Sequence, residues 1–431
     1  MLRRTHILRI VILAAVLMMA IGQPHAAQSG QLPPVNVVIM SGPEADGMKQ
    51  VAEAYTALTG NPVNIIEQGR DTYLTLIPTQ LLAGTSAFDL AFIQSTMVGE
   101  LAQAGAILPL DPYLNSLTPE QAADVNLDDI LVPAVYEGQI YGLPTDISTL
   151  FLFYRSDLIA EPPQTWDEVL ELARQFSRSQ NPGSPTPYGM AFDGLVGETL
   201  PETFYNFMWS FGGQLVDETG NPAVDSPEAI AAGEYWQTLA REQLVPPEIL
   251  SMGFGEVLAA IEAGQIAMAV PAWNAMYPII LNGTSAYKDV IEVAVMPGVE
   301  QPDGSILRTP YTHSYFFALN GSAPNPDAAV EFLLYATGQE GGRVYAQAGG
   351  APSRASIFDD PDLQQVRPEF PLMRASLQIA QAGPPICYWP EHIEAMNTAL
   401  ARILSLSAEP ADALSTAAEQ MRAARAACEL N

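Results

Sequence analysis

The stretch AMAVPAWNAMYPI (267–279) runs from small apolar residues into Pro271 and then offers Trp273, Asn274 and Tyr277. A flat indole beside amide and phenol groups can lay down a ligand ring and hold its polar edge; the alternative is an indole that plugs a core. CYWPEH (387–392) repeats the theme, with Tyr388 and Trp389 next to a proline. Loop aromatics carried by a rigid scaffold are frequent ligand contacts. Trp166, Trp209 and Trp236 fall instead on helical patterns and read as packing residues. Asp193 and Glu198 could serve as acid and base on a glycosidic bond, since such pairs leave no local motif; the alternative is two solvated loop acids. HExxH, GxSxG, a P-loop and a glycine fingerprint after a strand are absent from the sequence. His6 and His25 lie near the N-terminus, His313 and His392 are far apart, and no cysteine cluster accompanies them, so no metal centre is expected. The residues therefore suggest a binding protein that needs no cofactor, not an enzyme.

A chain of 431 residues exceeds one ordinary core, so two lobes are expected. Hydrophobic residues make up 48% and charged residues 15%, a globular composition. The net charge of -30 reflects few bases, with Lys49 and Lys288 the only lysines. Such a surface repels nucleic acid and anionic membranes and suits a neutral or cationic ligand.

Arg3, Arg4 and Arg9 precede an apolar run at 10–21, and Ala26 and Ala27 follow. This pattern is a secretory signal peptide over 1–27, with a retained anchor as the alternative; the run is short for a membrane span. No cysteine stands near the cleavage point, so a lipid anchor is not expected and the mature protein is placed in the periplasm. Cys387 and Cys428 either close a loop of about 40 residues in a disulfide or remain two thiols.

The elements that must carry these groups read as alternating strands and helices. Strands are predicted at 35–40, 63–66 and 88–93, separated by helices that include 71–83 with Pro78 inside. Gly60 stops the first helix. This is an α/β signature with a mostly parallel sheet. Thr165 and Glu168 form a capping-box pattern, Ser226 and Pro227 start another helix, and 266–270 is a strand ended by Pro271.

Six segments together resemble the extracellular solute-binding proteins of ABC importers, in the sugar-binding family that includes the maltose-binding protein. They are FDLAFIQSTMVGELAQAGAILPLD (88–111), EGQIYGLPTDISTLFLFYRSDLI (137–159), PQTWDEVLELARQF (163–176), SFGGQLVDETG (210–220), GFGEVLAAIEAGQIAMAVPAWN (253–274) and NPDAAVEFLLYATGQEGG (325–342). The resemblance implies a two-lobed periplasmic-binding-protein fold of type II, each lobe an α/β sheet flanked by helices, with the ligand cleft at the hinge. It implies an N-terminal lobe of 35–145 plus 297–338 and a C-terminal lobe of 146–296 plus 339–431. It also implies capture of a neutral carbohydrate, a glycoside or a sugar alcohol by hinge closure, and delivery by a monomer to a membrane permease with a cytoplasmic ATPase. Matched to the family's loops, the ligand-binding residues are Glu44, Tyr73, Gln94, Ser95, Asp146, Trp273, His313, Tyr388 and Trp389. Maltose-type members carry an aromatic and a charged pair after the third strand, where this chain has Ile93, Thr96 and Met97, so maltodextrin is not singled out. A cationic ligand such as a polyamine is the alternative that the acidic surface suggests, and a secreted carbohydrate-active enzyme is the third.

Overall fold

The computed structural model describes residues 33–131, 133–384 and 386–428; the expected signal peptide, 1–27, lies outside them. Its strands are β1 (Val35–Met40), β2 (Val63–Gln68), β3 (Leu90–Gln94), β4 (Ile107–Leu108), β5 (Ala134–Tyr136), β6 (Gln139–Arg155), β7 (Tyr188–Ala191), β8 (Ile266–Trp273), β9 (Ile291–Ala294), β10 (Val299–Glu300), β11 (Ile306–Leu307) and β12 (Thr312–Asn320). The main sheet has the order β2-β1-β3-β12-β6-β8-β7, with β4, β5 and β9 paired off this path.

Local sequence explains many element ends. The helix Pro43–Thr59 begins on a proline and ends at Gly60, whose φ of 79° is the left-handed conformation that favours glycine. The helix Trp166–Gln175 carries the predicted capping box between Thr165 and Glu168. Ser226 caps the helix Pro227–Arg241 through the Ala229 N–H at 3.2 Å. The helix expected at 71–83 runs Arg70–Leu82, with Pro78 inside it.

The sheet is mixed, not mostly parallel. Parallel pairing occurs at β1–β2, β1–β3 and β7–β8. The central strands β3, β12, β6 and β8 pair antiparallel. Parallel neighbours need a returning crossover. Strands β6 and β12 instead carry the chain from one lobe to the other, so no such crossover ties their direction to that of their neighbours.

Two separate apolar cores define the lobes. One gathers β1, β3 and the helices Pro43–Thr59 and Pro326–Ala336; the other gathers β8 and the helices Thr199–Ser210, Pro227–Arg241 and Trp389–Leu404. The long strand β6 serves both. Leu143 lies in the first core and Ile147 in the second. Core membership switches again between Tyr311 and Tyr315, and between Tyr345 and Ala346. The return to the first lobe therefore falls later than the expected 296/297 division. The reason is that Gly298 bridges to Thr165 and the β10–β11 hairpin follows before the chain turns back. At the β6 crossing the strands approach closely, since a Cβ on Gly142 would lie 1.9 Å from the Phe316 ring.

Proline does not stop β8 as the sequence suggests. The strand continues through Pro271 to Trp273, and the Val270–Pro271 peptide is cis. Against β6 the register passes from Phe151↔Ala272 to Phe153↔Ala269, so β8 holds an extra residue there. A bulge is where a strand tolerates a residue without an N–H donor.

Cys387 and Cys428 form a disulfide. Among the described residues, no helix is long and apolar enough to cross a membrane.

Candidate functional site

Side chains alternate faces along a strand, and directly paired residues share a face. Tyr315 of β12 pairs with Gln94 of β3 on one side and Asp146 of β6 on the other. Two residues back, His313 pairs with Ser148. Further along β6, Leu150 pairs with Trp273 of β8. The pleat thus brings Gln94, Asp146, Trp273 and His313 to one face where the two lobes join.

Contacts follow this register. The His313 imidazole stacks on the Trp273 indole with 4.7 Å between ring centres. Tyr311 and Tyr315 meet His313 edge-on at 5.9 and 5.0 Å. The Gln94 amide donates to the Tyr315 hydroxyl at 2.8 Å, while its carbonyl oxygen is buried without a partner among the described residues. Asp146 accepts from the Tyr345 hydroxyl at 2.9 Å and the Ala351 N–H at 3.1 Å, which ties β6 to the third lobe crossing.

The helix Thr199–Ser210 covers the C-terminal side of this face. Tyr311 donates its hydroxyl to Glu202 at 3.0 Å and its N–H to Asn206 at 2.7 Å. His313 Nδ1 stands 3.6 Å from the Glu202 carboxylate and lacks a hydrogen-bond partner among the described residues. Glu198 stands at the N-cap position of this helix, one turn before Glu202, without a side-chain capping bond.

The carboxylates feel one another. Burial and the Glu44 charge push Asp146 up to about 7, against the Ala351 and Tyr345 hydrogen bonds and His313. Burial and Glu202 push Glu198 up to about 7, with His313 acting the other way. Burial raises Asp193 to about 6, whereas burial lowers His392 to about 3. A raised carboxyl favours the folded state below its unfolded pKa, and that advantage is lost as pH rises through the folded value. His392 has the opposite sign: its penalty falls away as pH rises through the unfolded value of 6.5 and is spent only about one unit above it. Above pH 6.5 Asp146 and Glu198 dominate, the tail of Asp193 adding to them and the last of the His392 penalty acting against them, so raising the pH from about 6.5 to 8 should cost on the order of 1 kcal/mol. Thermal unfolding across this interval checks it. Asp146→Asn should flatten the fall, and an unchanged slope in that variant would remove Asp146 from the account.

The other sequence-derived candidates are placed differently. Glu44 lies on the first turn of its helix and reaches the group through its charge on Asp146. Ser95 opens the short turn after β3, next to Gln94. Tyr73 is 1% exposed in the first core, where its hydroxyl donates to the Val38 carbonyl at 3.0 Å. Tyr388 and Trp389 open the helix Trp389–Leu404. Trp389 stacks on His392, which contacts Tyr205, which in turn lies against Tyr311, so these two stand a layer behind the face. Trp273 is itself only 7% exposed, because His313 covers its ring. Asp193 and Glu198 do not form a couple of their own: Asp193 is held by Thr199 and Leu195, and Glu198 faces Glu202 and His313. Sequence reasoning missed Glu202, Tyr311 and Tyr315. The alternation Tyr311, His313, Tyr315 in YTHSY was the available signal. An open depression against β2, lined by Lys49, Glu53, Thr56 and Asn64, holds none of these groups. Among the described residues, no group of three or more His, Cys, Asp or Glu could hold a metal ion.

The family model of the bacterial extracellular solute-binding proteins matches residues 41–343. The chain belongs to this family. A probable ABC transporter-binding protein of Deinococcus radiodurans is 26% identical over 388 residues, 87% of this chain and 90% of its own length. The solute-binding fold recurs in maltose-bound T. maritima MalE3, with a TM-score of 0.76 and 22% identity over 90% of this chain and 99% of that one. It recurs too in an Agrobacterium radiobacter K84 solute-binding protein in complex with ribitol, with a TM-score of 0.79 and 20% identity over 90% and 98%. This solute-binding protein is a component of an ABC transporter, in a family of binding proteins that take small-molecule ligands and work with a permease. Export to the periplasm is what the family implies.

Proposed function

We propose that the protein captures a carbohydrate or sugar alcohol between its lobes and hands it to the permease. The carrying observation is the face at the lobe junction, where Trp273, His313, Tyr311 and Tyr315 stand beside Gln94, Asp146 and Glu202. Apolar ring faces suit the C–H surface of a sugar, and amide and carboxylate groups suit its hydroxyls. The ribitol and maltose bound by the two fold relatives support a polyhydroxy ligand. Three chain crossings meet at this face, and a hinge there lets ligand contacts from both lobes favour closure. Glu44, Gln94, Ser95, Asp146, Trp273 and His313 are the proposed ligand contacts; Tyr73, Tyr388 and Trp389 act from behind.

The test is a thermal-shift screen of residues 28–431 against sugars, sugar alcohols, glycosides and polyamines. A ligand at 100 times its Kd adds about 2.7 kcal/mol of stability, well above detection. A shift with one polyhydroxy class is expected. Shifts confined to polyamines, or turnover of a glycoside, would overturn the reading.

A further inference from the structure

Glu198 and Glu202 lie one helical turn apart at the start of the helix Thr199–Ser210, on the side that meets β12. Among the described residues no lysine or arginine pairs with either, and the nearest basic group is His313, 3.6 Å from Glu202. Arg308, close by in sequence, is directed instead to Gln164. The Glu198 carboxylate is only partly buried and accepts no hydrogen bond among the described residues. Beside it, His313 is 9% exposed and its Nδ1 faces Glu202 without a hydrogen-bond partner among the described residues. A buried carboxylate, Glu202 at 2% exposed, with a half-buried one a turn away favours a compensating positive charge or a proton. Trp273 and Tyr311 meet edge to face behind His313, 7% and 0% exposed.

We infer that the ligand is an amine-bearing polyhydroxy compound, an amino sugar or aminocyclitol, whose ammonium group is held by Glu198 and Glu202. The inference rests on the carbohydrate reading above and narrows it. The ring lies toward Trp273 and Gln94, and the ammonium points to the helix Thr199–Ser210. Such a cation supplies the charge that the protein itself leaves out of the site.

Titration calorimetry at pH 7 and low salt would compare hexosamines and aminocyclitols with their neutral hydroxyl counterparts and with 1,4-diaminobutane. A charge-assisted hydrogen bond corresponds to about tenfold or more in affinity, so one amine should bind at least that much tighter than its neutral counterpart. Within Glu198→Gln the preference should be gone, with the amine falling to within about threefold of its neutral counterpart measured in the same variant. Rising salt should erode the preference in the parent protein, a check that does not depend on the variant's folding. A neutral sugar that binds as tightly as its amine overturns this inference and leaves the carbohydrate reading intact. The diamine binding more tightly than every amino sugar, or no polyhydroxy compound binding at all, overturns both.

Discussion

Replacing Trp273 by Ala should lower folding stability by about 3–5 kcal/mol, the usual range for truncating a buried aromatic. The indole is 7% exposed, belongs to the second core, and touches His313 and Tyr311 at 4.7 and 6.3 Å between ring centres. The sequence alone suggests a ring offered to the cleft, for which truncation would spare the fold. Burial under His313 changes that expectation. Trp273→Phe separates packing from binding. It keeps a flat ring, should cost about 1–2 kcal/mol for the few carbons removed, and should weaken ligand affinity about tenfold, the scale of one good aromatic contact. Urea unfolding and titration calorimetry give the two numbers. Parent-like affinity in Trp273→Phe would leave the indole a packing residue only.

The Cys387→Ser, Cys428→Ser double variant should lose about 4 kcal/mol by the chain-entropy argument for a loop of this length. The two cysteines are 41 residues apart. One directly precedes Tyr388 and Trp389, and the other ends the helix Pro410–Cys428. The bond therefore closes the helical pair Trp389–Leu404 and Pro410–Cys428 into a ring. Guanidinium unfolding of the parent with and without a thiol reductant should show the same loss as the double variant. A change below about 1 kcal/mol would mean that the apolar contacts of Leu414, Ala418 and Met421 hold the last helix unaided.

Much of the architecture was legible because local chemistry states it directly. The capping box at Thr165, the stop at Gly60 and the strand at 35–40 all stand where spacing puts them. Within the quoted segment 137–159, Gly142 and Asp146 both make contacts at the lobe junction. Pro271 misled, because a bulge supplied the one place in β8 where a missing donor is harmless. Tyr73 misled for another reason: sequence shows an aromatic after a strand, and only packing decides that its hydroxyl turns inward to Val38. The carboxylates were half visible. Asp193 and Glu198 stood out as a pair, yet Glu202, one turn further on, is the partner that matters to His313. That relation spans more than a hundred residues and depends on the register of β12, which no local pattern encodes. The later return crossing was hidden likewise, because the β10–β11 hairpin has no hydrophobic period to announce which lobe it serves.

The order in which the sheet is threaded has a consequence for the protein's birth. Strand β12 lies between β3 and β6, yet it is drawn from residues 312–320, after nearly all of the second lobe's strands have been made. A nascent chain that stops short of this point holds β3 and β6 with an empty slot between them and an open edge on each. The first lobe to be started is thus completed only after most of the second has been made. Its folding waits on a contact more than 200 residues away, which makes it the slow and aggregation-exposed step and favours an exported chain that stays unfolded until most of it has crossed the membrane.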